Sequence, residues 1–170
     1  LVRKMLPFAL TPAQDRALLE IVADLGRSRP MARLLQGDVG SGKTAVAAVA
    51  MEVVAASGFQ AALMAPTDLL AAQHARTLGA LLSGVGREPR LLTGSRPAAE
   101  RRQVLAGLAS GEIRLVVGTH ALVQEQVREF AAMVDLRLGD GTAFKTRSGQ
   151  EVLELRGEIE RERIALEERW

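Results

Sequence analysis

The 170-residue chain has no cysteine and no tyrosine, one tryptophan, two histidines and three lysines. Without cysteine there is neither a disulfide framework nor a thiolate metal site, which suits a reducing compartment. Two histidines cannot build a histidine-rich metal cage. Long apolar runs are missing too: Glu52 and Ser57 interrupt the longest stretch well short of bilayer-spanning length, and residues 1–10 lack the apolar core of an export signal. The sequence therefore predicts no membrane segment, no export and a cytoplasmic location. It opens on Leu1 rather than Met, as expected of a piece of a longer polypeptide. At 48% hydrophobic and 25% charged residues, what is present suffices for one globular domain with an appendage. Charge divides unevenly: residues 1–127 carry 14 Lys+Arg against 10 Asp+Glu, while residues 128–170 carry 8 against 10. The front part favours an anionic partner, though an excess of this size does not by itself name nucleic acid.

One of the three lysines stands in the most informative run, "LLQGDVGSGKTAVAAVA" at residues 34–50. The spacing Gly-x-x-x-x-Gly-Lys-Thr meets each requirement of a nucleotide phosphate site. Gly37, Gly40 and Gly42 have no Cβ to block an approaching phosphate and can take positive φ. With Asp38, Val39 and Ser41 they form a loop whose N–H groups can converge on an anion. Lys43 supplies a charge for the β- and γ-phosphates, and Thr44 a hydroxyl for Mg²⁺. The apolar run beginning at Ala45 predicts a helix whose N-terminus faces the anion. ATP and Mg²⁺ are the cofactors this loop predicts, with Lys43 and Thr44 as its catalytic pair.

Around the loop, apolar runs at 31–35, 61–65, 91–92 and 113–117 predict buried parallel strands. Helical patterns at 44–57, 68–83 and 97–109 lie between them, closed by Gly58, Gly84 and Gly111. A first helix follows Thr11-Pro12, a good N-cap and a good first helical residue. The alternation predicts an α/β fold with right-handed crossovers and the loop at a strand's carboxyl end.

The series "LPFALTPAQ" (6–14), "GDVGSGKT" (37–44), "LMAPTDLLAAQH" (63–74), "LLTGSRPAAERRQVLAGLASGEI" (91–113) and "LVVGTHALVQEQV" (115–127) resembles the RecG family of ATP-dependent DNA helicases. The likeness is to its first RecA-like motor lobe, a P-loop NTPase fold. A close relative, the transcription-repair coupling translocase, shares much of the pattern but usually carries an aromatic residue where this chain has Ser41. The resemblance implies ATP-driven work on branched DNA. It also implies that Gln14 reads adenine, for which the local alternative is a solvated polar residue on the first helix, and that Phe8 packs beside the base, for which the alternative is a core aromatic. Pro66, Thr67, Gln73, Thr93, Gly94, Gly118, Thr119 and His120 become candidates for gripping DNA phosphates in a sequence-blind, weak and salt-sensitive way. Thr67 reads equally well as an ordinary helix cap.

After residue 127 the resemblance stops. An Asp-Glu-x-His box should follow, and no Asp-Glu pair occurs in this chain; Asp135 ends an apolar run, but Leu136 stands where the glutamate belongs. A second lobe, the partner that supplies arginines in such motors, is also expected elsewhere. Expected domains are thus residues 1–127, a partial RecA-like lobe with an incomplete parallel sheet, and 128–170, a short β-hairpin and a charged helix in which Ile159, Leu166 and Trp170 share a stripe. The missing box leaves three functional readings: a hydrolytically impaired motor fragment, a non-catalytic nucleotide-binding module, or an inert product. It also leaves a sheet edge expected to be open.

Overall fold

The computed structural model describes residues 5–27, 31–119, 134–138 and 143–146, the last two segments as backbone alone. Helix α1 spans Pro12–Leu25. Its start is written locally: Thr11 caps the helix, Pro12 begins it, and Thr11 and Gln14 close a reciprocal capping box. Leu18, Ile21, Val22 and Leu25 then bury one stripe. Strand β1 (Met31–Leu35) leads into the glycine loop and helix α2 (Lys43–Ala56), which packs between α1 and the next helix.

Helix α2 contains four valines, and each costs a few tenths of a kcal/mol, roughly, relative to alanine in a helix. Burial decides the matter. Val46, Val49, Met51, Val53 and Val54 are all at most 2% exposed, and burying such a side chain contributes about 1.5–3 kcal/mol. Tertiary packing thus overrides a weak local preference. Strand β2 (Ala61–Met64), helix α3 (Asp68–Leu82), strand β3 (Arg90–Leu92), helix α4 (Ala98–Ala109) and strand β4 (Leu115–Gly118) follow. They lie within a residue or two of the segments the sequence predicts. Gly58 and Gly111 take positive φ at helix ends as expected, but the glycine after α3 that does so is Gly86 (φ 68°), since a single 3-10 turn, Ser83–Val85, carries the chain past Gly84.

Strands β2, β4 and β3 form the expected parallel run. Alternation along it divides two cores: Ala61, Leu63, Leu115 and Val117 pack with α1–α3, while Ala62, Val116 and Leu92 pack with Leu108 of α4. Helices thus cover both faces, as a doubly wound sheet requires.

The hairpin departs from expectation. Strands β5 (Val134–Leu138) and β6 (Ala143–Thr146) pair antiparallel as predicted, yet they are not appended. The sheet order is β1-β5-β6-β2-β4-β3. Strand β5 runs parallel to β1, and β6 antiparallel to β2, so the hairpin fills the space between them and the described sheet has its edges at β1 and β3. The physical reason is hydrogen bonding: β1 and β2 each present a ladder of N–H and C=O groups, and one hairpin satisfies both. Residue 127 therefore does not mark the limit of the sheet. Two reversals of direction cancel, which leaves β1, β2, β3 and β4 with their carboxyl ends on one edge. The charged segment with Ile159, Leu166 and Trp170 lies outside the described residues.

Candidate nucleotide and nucleic-acid site

At the end of β1 the chain turns through the glycine loop in a conformation only glycine takes easily. Gly40 and Gly42 both have φ 80°, in the left-handed region. Gly37 does not; its lack of a Cβ matters because one would lie 2.6 Å from Ser41 Oγ. Gly42 is also the N-cap of α2 and has no side chain to cap the helix. The first turn of α2 therefore offers its N–H groups and positive dipole end to an outside anion. Lys43 folds over the loop, its Nζ donating to the carbonyls of Gly37 (2.8 Å) and Asp38 (2.9 Å). Those neutral acceptors can be exchanged for phosphate oxygens, with which a lysine makes stronger, charge-assisted bonds. Val39 is fully exposed at the loop's tip.

Gln14 reaches this loop from α1. Its Nε2 donates to Ser41 O (2.8 Å) while its Oε1 accepts from Thr11 N–H (2.8 Å). One amide side chain thus joins the helix start to the phosphate loop and retains a second N–H and a second lone pair for a ligand. Phe8, read from sequence as either base-stacking or core, is 48% exposed, which removes the core alternative. Helix α1 is anchored to β1 by ion pairs: Arg33 on the strand donates to Asp24 and to Glu20 (2.6 Å), and Arg27 adds a contact to Asp24 at 2.7 Å. The hydrogen bond that Arg33 donates to Asp24 raises its already high pKa.

Thr44 lines a cleft of about 590 Å³ with Leu70, Gln73, His74, Arg76 and Thr77 of α3. Gln73 thus shares a cleft with Thr44 of the phosphate loop. The donor set for a metal is small: among the described residues no three His, Cys, Asp or Glu side chains gather, so Thr44 is the protein's own Mg²⁺ ligand candidate. Phosphates fit this loop well; a complete Mg²⁺ shell does not come from these residues.

The proposed DNA residues divide. Thr67 is the N-cap of α3, its Oγ1 accepting from Leu70 N–H at 3.3 Å. Accepting leaves its hydroxyl proton available, so cap and phosphate donor are compatible roles. Pro66 and Gly94 are exposed, and a Cβ on Gly94 would meet nothing within 4 Å. Thr93 and Thr119, in contrast, are 2% and 8% exposed, and Gly118 is paired inside β4 with its carbonyl accepting from Ala65 N–H (2.8 Å). These three support the edge from beneath. His120 lies outside the described residues. Sequence reasoning missed Asp68, the first residue of α3, whose carboxylate accepts from Ser95 N–H and Oγ–H. Those bonds hold its pKa below the usual aspartate value, the Ser95 hydroxyl most of all. An acid just inside a helix reads from sequence as a partner of the helix dipole, so nothing local could have pointed to Ser95, 27 residues away.

A buried charge lies behind the loop. Glu52 of α2 is 3% exposed, with Arg87 Nε 3.3 Å away. Burial pushes its pKa up, and Arg87 offsets only part of that shift.

Residues 11–142 match the DEAD/DEAH box helicase family. The chain is similar to the ATP-dependent DNA helicase RecG of Streptococcus pneumoniae, with 52% identity over 132 residues, 78% of this chain and 19% of the relative. RecG of Bacillus subtilis is 53% identical over 130 residues, 76% of this chain and again 19% of the relative. The chain thus spans about a fifth of the length of these relatives. A solved structure of RecG bound to a three-way DNA junction superposes with a TM-score of 0.68 at 41% identity, over 81% of this chain and 21% of that one. The family match extends beyond residue 127 to take in β5, in keeping with its place beside β1. With the glycine loop, the parallel strands and these likenesses in agreement, the chain belongs to the DEAD/DEAH box helicase family, as a RecG-like part of a RecA-like motor lobe.

Proposed function

We propose that this chain is the ATP-binding part of a motor acting on branched DNA, and that alone it binds nucleotide without turning it over appreciably. The observation that carries the reading is the loop itself: two left-handed glycines, an uncapped helix N-terminus and Lys43 folded across them. In this reading the N–H groups of residues 40–44 receive the β- and γ-phosphates. Lys43 leaves the Gly37 and Asp38 carbonyls for phosphate oxygens, Gln14 reads the adenine edge, and Phe8 packs beside the base. Mg²⁺ held through Thr44 would supply positive charge to the phosphate oxygens. DNA runs along the shared strand edge at Thr67, Pro66 and Gly94, held through its phosphates without regard to sequence.

Hydrolysis needs a carboxylate that positions the attacking water and cationic groups on the γ-phosphate. The chain has no Asp-Glu pair, and a second RecA-like lobe that would donate arginine contacts is a partner still to be supplied. An arginine finger alone is worth about 10³–10⁵ in rate. The same lack of a box favours, as second reading, a non-catalytic nucleotide-binding module.

Titration with a fluorescent ATP analogue and a phosphate-release assay with branched DNA test both halves. Saturable binding should be lost in Lys43→Ala, with no DNA-dependent phosphate release. Equal titration curves for the two proteins would overturn the loop assignment. Turnover that rises with DNA and vanishes in Lys43→Ala would overturn the impairment and give the hairpin region a catalytic carboxylate.

A further inference from the structure

The carboxyl ends of β2, β4 and β3 stand side by side, with β4 in the middle. Asp68 begins α3 directly after β2, yet its Oδ2 accepts from Ser95, which follows β3: from the N–H at 3.4 Å and from the hydroxyl. Ser95 Oγ in turn lies 3.2 Å from Thr93 Oγ1. The hydroxyls of Thr119, at the end of β4, and of Thr93 also favour the ionised carboxylate. One side chain thus joins segments that follow two strands separated in the sheet by a third.

A negative charge on an edge meant for phosphates needs a reason. Seen from bulk solvent at physiological salt, one unit charge several Å from a phosphate weakens binding by about 2–3-fold. Against this small repulsion stands what the carboxylate organises. It takes both donors of Ser95, so Ser95 is not itself free to hold DNA, and it fixes the loop that carries Gly94 relative to Thr67 and the first turn of α3.

We propose that Asp68 is a positioning residue for DNA: it straps the end of β3 to the end of β2 across β4, so that Thr67, the first turn of α3 and Gly94 present their donors in one fixed array. The proposal rests on the assignment of this edge to DNA. Ser95 is the receiving end of the strap and acts through Asp68.

The test is fluorescence anisotropy of the full chain with labelled single-stranded and duplex oligonucleotides over a salt series, comparing Asp68→Ala, Asp68→Asn, Ser95→Ala and the Asp68→Ala/Ser95→Ala double variant. Asp68→Ala and Ser95→Ala should each weaken binding by about 3–10-fold, and the double variant should lose no more than either alone. Asp68→Asn keeps an acceptor of the same shape and drops the charge, so it should bind at least as well as wild type. Nucleotide affinity serves as the readout of folding and should stay put, while the melting temperature should fall only slightly, since Asp68, at the protein surface, contributes little stability. Tighter binding by both Asp68→Ala and Asp68→Asn would show simple repulsion and overturn the strap, as would additive losses, or unchanged affinity in Asp68→Ala. Failure of the wild-type chain to bind any oligonucleotide at low salt would overturn the DNA assignment, and the role of Asp68 with it. Faster amide exchange at Ser95 in Asp68→Ala would, in that case, leave a strap that is structural only.

Discussion

Replacing Leu136 with proline separates two readings of the hairpin. Among the described residues β5 is the strand that pairs with β1, from Met31↔Val134 to Leu35↔Leu138, and no other strand does. The strand that delivers the phosphate loop is therefore held in the sheet through residues that the sequence presents as an appendage. Leu136 is in register with Arg33 on one side and Phe144 on the other, in the middle of a central strand. Proline there removes a donor and cannot be accommodated away from a sheet edge. Losing two or three ladder bonds at about 0.5–1.5 kcal/mol each, and leaving a partner group unsatisfied at about 1–3 kcal/mol, gives a cost of about 3–5 kcal/mol.

A domain has about 5–15 kcal/mol in all, so most molecules should remain folded at room temperature. At this size about 1 kcal/mol moves the melting temperature by 2–4 °C, so circular dichroism should show a drop on the order of 10 °C. Affinity for a fluorescent ATP analogue should fall as well, since β1 is loosened at the loop. Lys43→Ala is the matching control, expected to lose nucleotide with melting little changed. Wild-type melting and wild-type nucleotide affinity in Leu136→Pro would refute the placement of the hairpin beside β1.

Gly42→Ala should destabilise the chain more than Gly40→Ala, by melting temperature and by ATP-analogue titration. Both sites have φ 80°, a cost of about 1–2 kcal/mol for alanine; only at Gly42 would the new Cβ, 2.3 Å from Gln14 Nε2, displace the amide from Ser41 O. Glu52→Gln should stabilise the protein at neutral pH by about 1 kcal/mol, because it removes a buried charge whose Arg87 partner can turn to solvent. The folded-state pKa of Glu52 lies above its ordinary value of 4.5, so wild type bears the cost above that raised pKa and loses it as pH falls towards 4.5. The advantage of the variant, followed by thermal melts against pH, should shrink over the same window; an advantage that grows on acidification would contradict it.

Which features were legible in the sequence follows from how local their causes are. Thr11 and Pro12 write the start of α1 side by side, and the cap is there as predicted; that Gln14 completes a capping box with Thr11 is added by the structure. The spacing of Gly37, Gly42, Lys43 and Thr44 specifies a loop whose geometry is almost wholly its own. The burial of Thr93 and Thr119 was not legible, because a threonine at a strand end looks the same whether its neighbours leave it open or cover it. Asp68 and Ser95 meet only after the sheet is assembled.

The hairpin shows most clearly why a correct local reading gave the wrong place. "VDLRL" alternates apolar and charged residues, the pattern of a strand with one face in water, whereas a strand inside a parallel sheet is normally apolar throughout. The register resolves the conflict. Asp135 pairs with Ala32 and Arg137 with Leu34, and those two β1 residues are exposed, Leu34 by 60%. Val134, Leu136 and Leu138 pair instead with Met31, Arg33 and Leu35, the rows in which Met31 is buried and Arg33 meets α1 through Asp24 and Glu20. Helix α4 covers the opposite face only beneath β2, β4 and β3, where Ala62, Val116 and Leu92 lie. Next to β1 the described residues put nothing over that face. A strand there can be central in its hydrogen bonding although its sequence alternates, because its neighbour β1 itself alternates between exposed and covered rows in the same register; polar alternation does not by itself mark a strand as an edge.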